Sequence, residues 1–188
     1  MKKTNDTLIL IAGILLFLIS YKFDAPVNLF FNGIKFPLFN AILGVITNFG
    51  LVVVIILIIP SIILFKKNKK LIYLLFLIFV ASIILAFIIK LIVLRQRPIE
   101  AFTYPFTHII NYSFPSMHAM VAFSLLPVLI KYLQKYKSFW ISFSILVVFS
   151  RVYFGFHFLS DVVFGALFGY FLGSYLLELY EKGKLWAK

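Results

Sequence analysis

Residues 71–94 form an apolar run broken by one charge, Lys90. A run this long matches the hydrocarbon thickness of a bilayer. Inside hydrocarbon every backbone N–H and C=O must be satisfied within the segment or a closed barrel, and an unbroken apolar run suits only the helix. Further apolar runs at 7–21, 41–65, 116–133, 139–154 and 161–180 alternate with short polar turns. The expected fold is all-α, an integral membrane bundle of six transmembrane helices, in a single domain over residues 1–188. Composition supports this: 63% of residues are hydrophobic and only 13% charged, about half the charged share of a soluble domain.

Two segments need separate readings. The run at 7–21 is slightly short and resembles a signal-peptide core. No small-residue cleavage site follows it, so an uncleaved first helix is expected. Residues 22–40 mix Asp24, Pro26, Asn28, Gly33 and Pro37 with several phenylalanines, which suits a connection lying along the membrane surface. Asp24 reads there as a cap or turn residue.

The net charge of +12 would suit nucleic acid if the cations were spread over one face. Instead, lysines gather at 2–3, 66–70, 131–137 and 182–188, between or beyond the apolar runs. That is the pattern of cytoplasmic turns in a multi-pass protein of the cell membrane. No nucleic-acid partner is expected. Membrane lipids are, with the KKNKK turn setting topology and touching anionic headgroups. Both termini then lie in the cytoplasm, and Lys22, Lys35, Lys90, Arg95, Arg97 and Arg151 belong to the outer half. The chain has no cysteine, hence no disulfide framework and no thiolate metal site.

The outward polar residues cluster in three stretches. In KLIVLRQRP, Lys90 and Arg97 are seven residues apart, nearly two helical turns, and would share a face if the helix continued. Arg95 between them reads as a cation snorkelling at a helix end. In FPSMHAM, Ser116 suits a helix N-cap, which points the N–H groups of Met117 and His118 outward as an anion site. His118 adds a titratable proton donor. In SRVYFGFHFLSD, His157 and Asp161 are four apart and on a helix would touch, while Arg151 offers a planar fork for phosphate. Such a trio could simply tie helices together, but ionisable groups at membrane depth are costly and mark function.

Three cations, a helix N-terminus, two histidines and one aspartate fit phosphoryl transfer through a phosphohistidine. A two-metal phosphatase needs clustered carboxylates, whereas the outer half offers only Asp24, Glu100 and Asp161. Phosphoryl charge would be neutralised by Lys90, Arg97 and Arg151 instead. No metal and no cofactor are expected.

K-x6-RP from Lys90, PS-x-H ending at His118 and SR-x5-H-x3-D ending at Asp161 resemble, in order and spacing, the three signatures of the type 2 phosphatidic acid phosphatase superfamily. The resemblance implies metal-independent hydrolysis of a lipid phosphate. His157 would be the nucleophile, Asp161 its orienter and His118 the general acid. Lys90, Arg97, Ser116, Met117 and Arg151 would hold the phosphate. Where the family writes PSGH this chain carries Met117, which keeps the backbone N–H. Among family substrates the compact chain leans toward a polyprenyl diphosphate such as undecaprenyl diphosphate. Phosphatidylglycerol phosphate, phosphatidate and lipid A phosphates are alternatives, as is phosphotransfer to a second lipid. A non-catalytic anion-binding protein would not need a histidine backed by aspartate. His108 is a candidate for gating or headgroup contact and Glu100 for a loop salt bridge. Gly165, Gly169 and Gly173, spaced four apart, read as a ridge for close helix packing.

Overall fold

The computed structural model describes residues 3–66, 68–98 and 111–185. His108 and Glu100 lie outside the described residues. Helix α1 (Lys3–Lys22) runs into α2 (Asp24–Gly33) through a bend of 56°. Helix α3 (Pro37–Ile46) opens on a proline, whose fixed φ and missing N–H suit a first turn. A second 56° bend at Thr47 and Asn48 leads into α4 (Phe49–Phe65). The Asn48 side chain caps α4 by accepting from Leu51 N at 3.0 Å. Within α4, residues Val54–Ile58 form a π turn just before Pro60. Proline cannot donate to the preceding turn, and a π turn absorbs the mismatch.

Helix α5 (Lys69–Val93) is capped by Asn68, and Leu94 ends it with φ 51°. Helix α6 (Met117–Tyr132) follows the Ser116 N-cap. A 3-10 turn (Gln134–Tyr136) leads to α7 (Lys137–Tyr153), and α8 (Leu159–Glu181) completes the fold. Among the described residues there is no strand.

Six spans were expected. Two helices are long and apolar enough to cross a membrane, α5 and α8, and the count rises to four if each bent pair is one span. The difference lies in α6 and α7. Helix α6 has 16 residues, about 24 Å at 1.5 Å per residue, against about 30 Å of hydrocarbon. The segment expected at the membrane surface is largely helical, and the span expected to start at 41 instead begins at Pro37 and is broken at Thr47.

The outside of the bundle is apolar. Ile92 is 74% exposed, and Leu18, Leu29, Leu38 and Ile62 are similarly bare. Contiguous apolar surface on this scale marks a membrane-facing protein. Inside, Val52, Ile56, Leu74, Ile78, Val121, Leu125 and Leu129 are buried together, joining α4, α5 and α6. Helices α6 and α8 approach most closely at the glycine ridge. A Cβ on Gly165 would lie 2.8 Å from the Ser116 carbonyl oxygen; at Gly169 and Gly173 it would run into the carbonyls of Met120 and Ser124. Only hydrogen fits at these positions, which fixes the start of α6 against the start of α8.

Candidate active site

The SR-x5-H-x3-D spacing is explained by two helix ends meeting. Helix α7 stops at Tyr153. Gly155 takes φ 72°, the left-handed conformation glycine adopts without a Cβ penalty. Gly155 N then donates to Val152 O at 2.9 Å and Phe156 N to Arg151 O at 3.0 Å, the Schellman pattern of helix termination. This reversal carries His157 back to the arginine, so that His157 N lies 3.3 Å from Arg151 O. Helix α8 opens two residues later, with Asp161 in its first turn. Asp161 Oδ2 reaches back to accept from Phe158 N at 2.8 Å, one half of a capping box.

His157 and Asp161 therefore do not share a helix face, as their spacing had suggested. The histidine is in the loop and the aspartate in the first turn of the next helix. They face each other all the same, with His157 Nδ1 3.6 Å from Asp161 Oδ2. This exceeds hydrogen-bond range, and contacts of this kind commonly tighten when substrate binds. On the other side of the ring, Nε2 lies 3.4 Å from Arg97 Nη1. A guanidinium only donates. The consistent tautomer thus carries its proton on Nδ1, toward the carboxylate, and a lone pair on Nε2. Burial, then the charges of Arg97, Arg151 and Lys90, hold the imidazole well below its ordinary range. The ring is neutral, with its lone pair on Nε2.

Of the expected phosphate-binding cations, Arg97 meets this nitrogen by a different route from the one expected, and Lys90 and Arg151 lie near enough for their charges to act on the ring. Because Leu94 ends α5, Lys90 and Arg97 are not on one continuous helix. Lys90, 1% exposed, donates to Tyr112 O at 2.5 Å. Arg97 leaves the helix and reaches across, donating to Phe156 O at 2.7 Å and to Asn111 O at 3.0 Å. Arg151 lies over the Phe156 ring, 4.5 Å from its centroid, and donates to Thr47 Oγ1 at 2.5 Å.

Ser116 and His118 come from the start of α6. Ser116 is fully buried, its Oγ accepting from Ala119 N and its own N–H donating to the Asp161 carbonyl at 3.1 Å. Motifs two and three are thus joined through the backbone. Met117 and His118 occupy the first turn, where N–H groups lack intrahelical partners. His118 Nε2 lies 3.0 Å from the Thr47 carbonyl oxygen, and its ring meets Phe49 edge-on with centroids 4.9 Å apart.

A family model described as the PAP2 superfamily matches residues 69–184. The chain belongs to the PAP2 superfamily. No curated protein sequence matches it. Among solved structures it is similar to "the first transmembrane PAP2 type phosphatidylglycerolphosphate phosphatase from Bacillus subtilis", with a TM-score of 0.71 and 27% identity over 94% of this chain and 98% of that one. This PAP2 chain is an integral membrane protein and a lipid phosphatase.

Two features of the PAP2 site went unread in the sequence. Thr47, at the α3–α4 bend, meets both His118 and Arg151. Arg95 is no snorkelling cation, because it forms ion pairs with Asp24 at 2.7 Å and with Asp161 at 2.8 Å. Asp24 is correspondingly more than a cap: it is buried and also accepts from Ser160 N at 2.8 Å. A carboxylate in an otherwise apolar surface segment needs a cation or a ring of donors. That imbalance was the available signal.

Proposed function

We propose that this chain hydrolyses a lipid phosphate at the extracytoplasmic face of the membrane, through a phosphohistidine on His157 and without a metal ion. The observation that carries the reading is the two-sided setting of His157, with Arg97 at Nε2 and Asp161 at Nδ1. Nε2 attacks phosphorus while the bond to the lipid oxygen breaks. Lys90, Arg97 and Arg151, with the first N–H groups of α6, take up the charge on the phosphoryl oxygens. Asp161 steadies the ring as it becomes positive. His118 takes up a second proton with the substrate phosphate and, as the imidazolium, gives the leaving oxygen its Nδ1 proton. The Nε2 proton stays hydrogen-bonded to the Thr47 carbonyl and the ring is left neutral. Water, deprotonated by His118, then attacks phosphorus as the P–Nε2 bond breaks, returning the lone pair to His157 and releasing inorganic phosphate. Among described carboxylates, Asp24 and Asp161 are already engaged by Arg95, so the donor set suits an anion better than a divalent cation.

Phosphatidylglycerol phosphate is the substrate best supported, by likeness to the Bacillus subtilis phosphatase along nearly its whole length. The compact size that favoured a polyprenyl diphosphate does not separate the two, since that phosphatase is covered over 98% of its chain. A phosphate-release panel on purified protein, in excess EDTA, tests both points. The expected result is undiminished release, fastest from phosphatidylglycerol phosphate. Activity lost in EDTA and restored by a divalent ion would overturn the metal-free mechanism. A preference for undecaprenyl diphosphate would change the substrate but not the reaction.

Orientation rests on the lysine clusters. The chain has no cysteine of its own, so single cysteines report cleanly. Thr107→Cys should react with an impermeant thiol reagent on intact cells, and Lys67→Cys only after lysis. The reverse pattern would place the site in the cytoplasm.

A further inference from the structure

Arg95 sits where two carboxylates meet. Its Nη1 donates to Asp161 Oδ1 at 2.8 Å and to Ser160 Oγ at 2.7 Å, and its Nη2 to Asp24 Oδ2 at 2.7 Å. The Ser160 hydroxyl in turn donates to Asp24 Oδ2 at 2.6 Å. The guanidinium lies over the Phe158 ring, 4.0 Å from its centroid. Both terminal nitrogens of Arg95 are thus spent on carboxylates, unlike Arg97, which reaches the nucleophile itself. The residues come from three distant places: the α1–α2 bend, the turn after α5 and the start of α8.

The consequence falls on Asp161, whose side chain is 0% exposed. Arg95 holds Oδ1. Oδ2 takes the Phe158 N–H and faces His157 Nδ1. With each oxygen assigned, the carboxylate plane cannot rotate. Remove the guanidinium and the buried carboxylate loses its charged donor, keeping the Ser113 hydroxyl as a weaker side-chain partner. That is an expensive state, which turning the carboxylate would relieve. Turning it would move Oδ2 off the imidazole. Asp24 acts one step further out, because it holds the far end of the guanidinium and carries no contact to His157.

We propose that Arg95 and Asp24 are positioning residues for the nucleophile: Arg95 fixes the carboxylate of Asp161 toward His157, and Asp24 fixes Arg95. The inference rests on the phosphohistidine reading above. It makes the α1–α2 bend, far in sequence from the three motifs, part of the apparatus that orients His157.

Four purified variants test it: Arg95→Ala, Arg95→Lys, Asp24→Asn and the double variant Arg95→Ala/Asp24→Asn. Each is assayed for kcat, for inhibition by inorganic phosphate and for acid-labile phosphoenzyme in a single turnover. Arg95→Ala should lower kcat by about 10²-fold, the scale of a misplaced reactive group, with phosphate inhibition unchanged. Arg95→Lys should recover part of that loss, and Asp24→Asn should show a smaller one. The double variant should be no worse than Arg95→Ala, because Asp24 acts through the arginine. Should Arg95→Ala fail to fold, Arg95→Lys and Asp24→Asn must still lower kcat without weakening phosphate inhibition. The proposal is overturned if phosphate inhibition weakens in step with kcat, which would make Arg95 a phosphate ligand. Losses that add in the double variant, or wild-type kcat in both Arg95→Lys and Asp24→Asn, also overturn it. Wild-type enzyme that turns over without any phosphoenzyme would instead sink the phosphohistidine reading, and the kcat ratios would still judge the positioning.

Discussion

His157→Ala is expected to abolish turnover on every lipid phosphate, with a loss on the order of 10⁶-fold, the scale found when a covalent nucleophile is removed. The reasoning is geometric. Nε2 of His157 is the ring nitrogen that faces Arg97, while Nδ1 is turned to Asp161. His118, the other described histidine, has its Nε2 committed to the Thr47 carbonyl at 3.0 Å. Arg97 and Arg151 stay protonated and offer no nucleophilic lone pair, and Lys90 Nζ is committed to the Tyr112 carbonyl. With no covalent intermediate, water would have to attack directly, and Asp161, the described carboxylate behind the missing ring, has both oxygens engaged by Arg95 and Phe158 N. Radiolabelled enzyme denatured in alkaline detergent, where a phosphohistidine survives, should carry phosphate in the wild type and none in His157→Ala. Label persisting in His157→Ala and vanishing in His118→Ala would exchange the two roles.

His118→Ala should behave differently, and its cost should depend on the leaving group. A monophosphate ester expels an alkoxide, whose conjugate acid has a pKa near that of water, about 15.7. A diphosphate expels a phosphate monoester whose second pKa is about 6. The first needs a proton during bond breaking; the second hardly does. General acid help is typically worth about 10²–10⁴-fold, so His118→Ala should lose that much on phosphatidylglycerol phosphate in the phosphorylation step. It should lose far less on a matched diphosphate. Single-turnover phosphorylation isolates this step from dephosphorylation, where His118 serves both substrates alike. Equal losses on the two lipids would leave His118 as a phosphate-binding residue only.

The residues that were legible in the sequence are those whose neighbours are local. Ser116 announces itself as an N-cap, and the glycines at 165, 169 and 173 announce a packing ridge. The Arg151, His157 and Asp161 spacing follows from a helix end, a glycine reversal and a helix start, all within twelve residues. What stayed hidden depends on contacts between distant segments. Arg95 finds Asp24 across 71 positions, and Arg151 finds Thr47 across 104. No period or cap signals either. The end of α5 was legible as the limit of the 71–94 apolar run, but not the way it turns the chain. Leu94 takes φ 51°, a conformation that leucine seldom adopts, and this sends Arg97 off the helix face of Lys90. The six expected spans exceed the two to four helices long and apolar enough to cross for a third reason: hydropathy measures how apolar a segment is, while α6 is apolar but short and α3–α4 is long but bent.

Hydropathy misleads at the ridge where α8 meets α6. On any transfer scale Gly169→Leu makes α8 a better membrane helix, easier to insert and longer lived in lipid. In the folded protein the same change drives a side chain into the Met120 backbone, and the helix can relieve it only by backing away. His118 rides on one of these helices and Asp161 on the other, while Ser116 N and Asp161 O join their first turns at 3.1 Å. For this protein insertion and function therefore impose opposite demands on one surface. A variant could reach the membrane at full abundance, span it correctly and have no working site, so expression level would not report on activity.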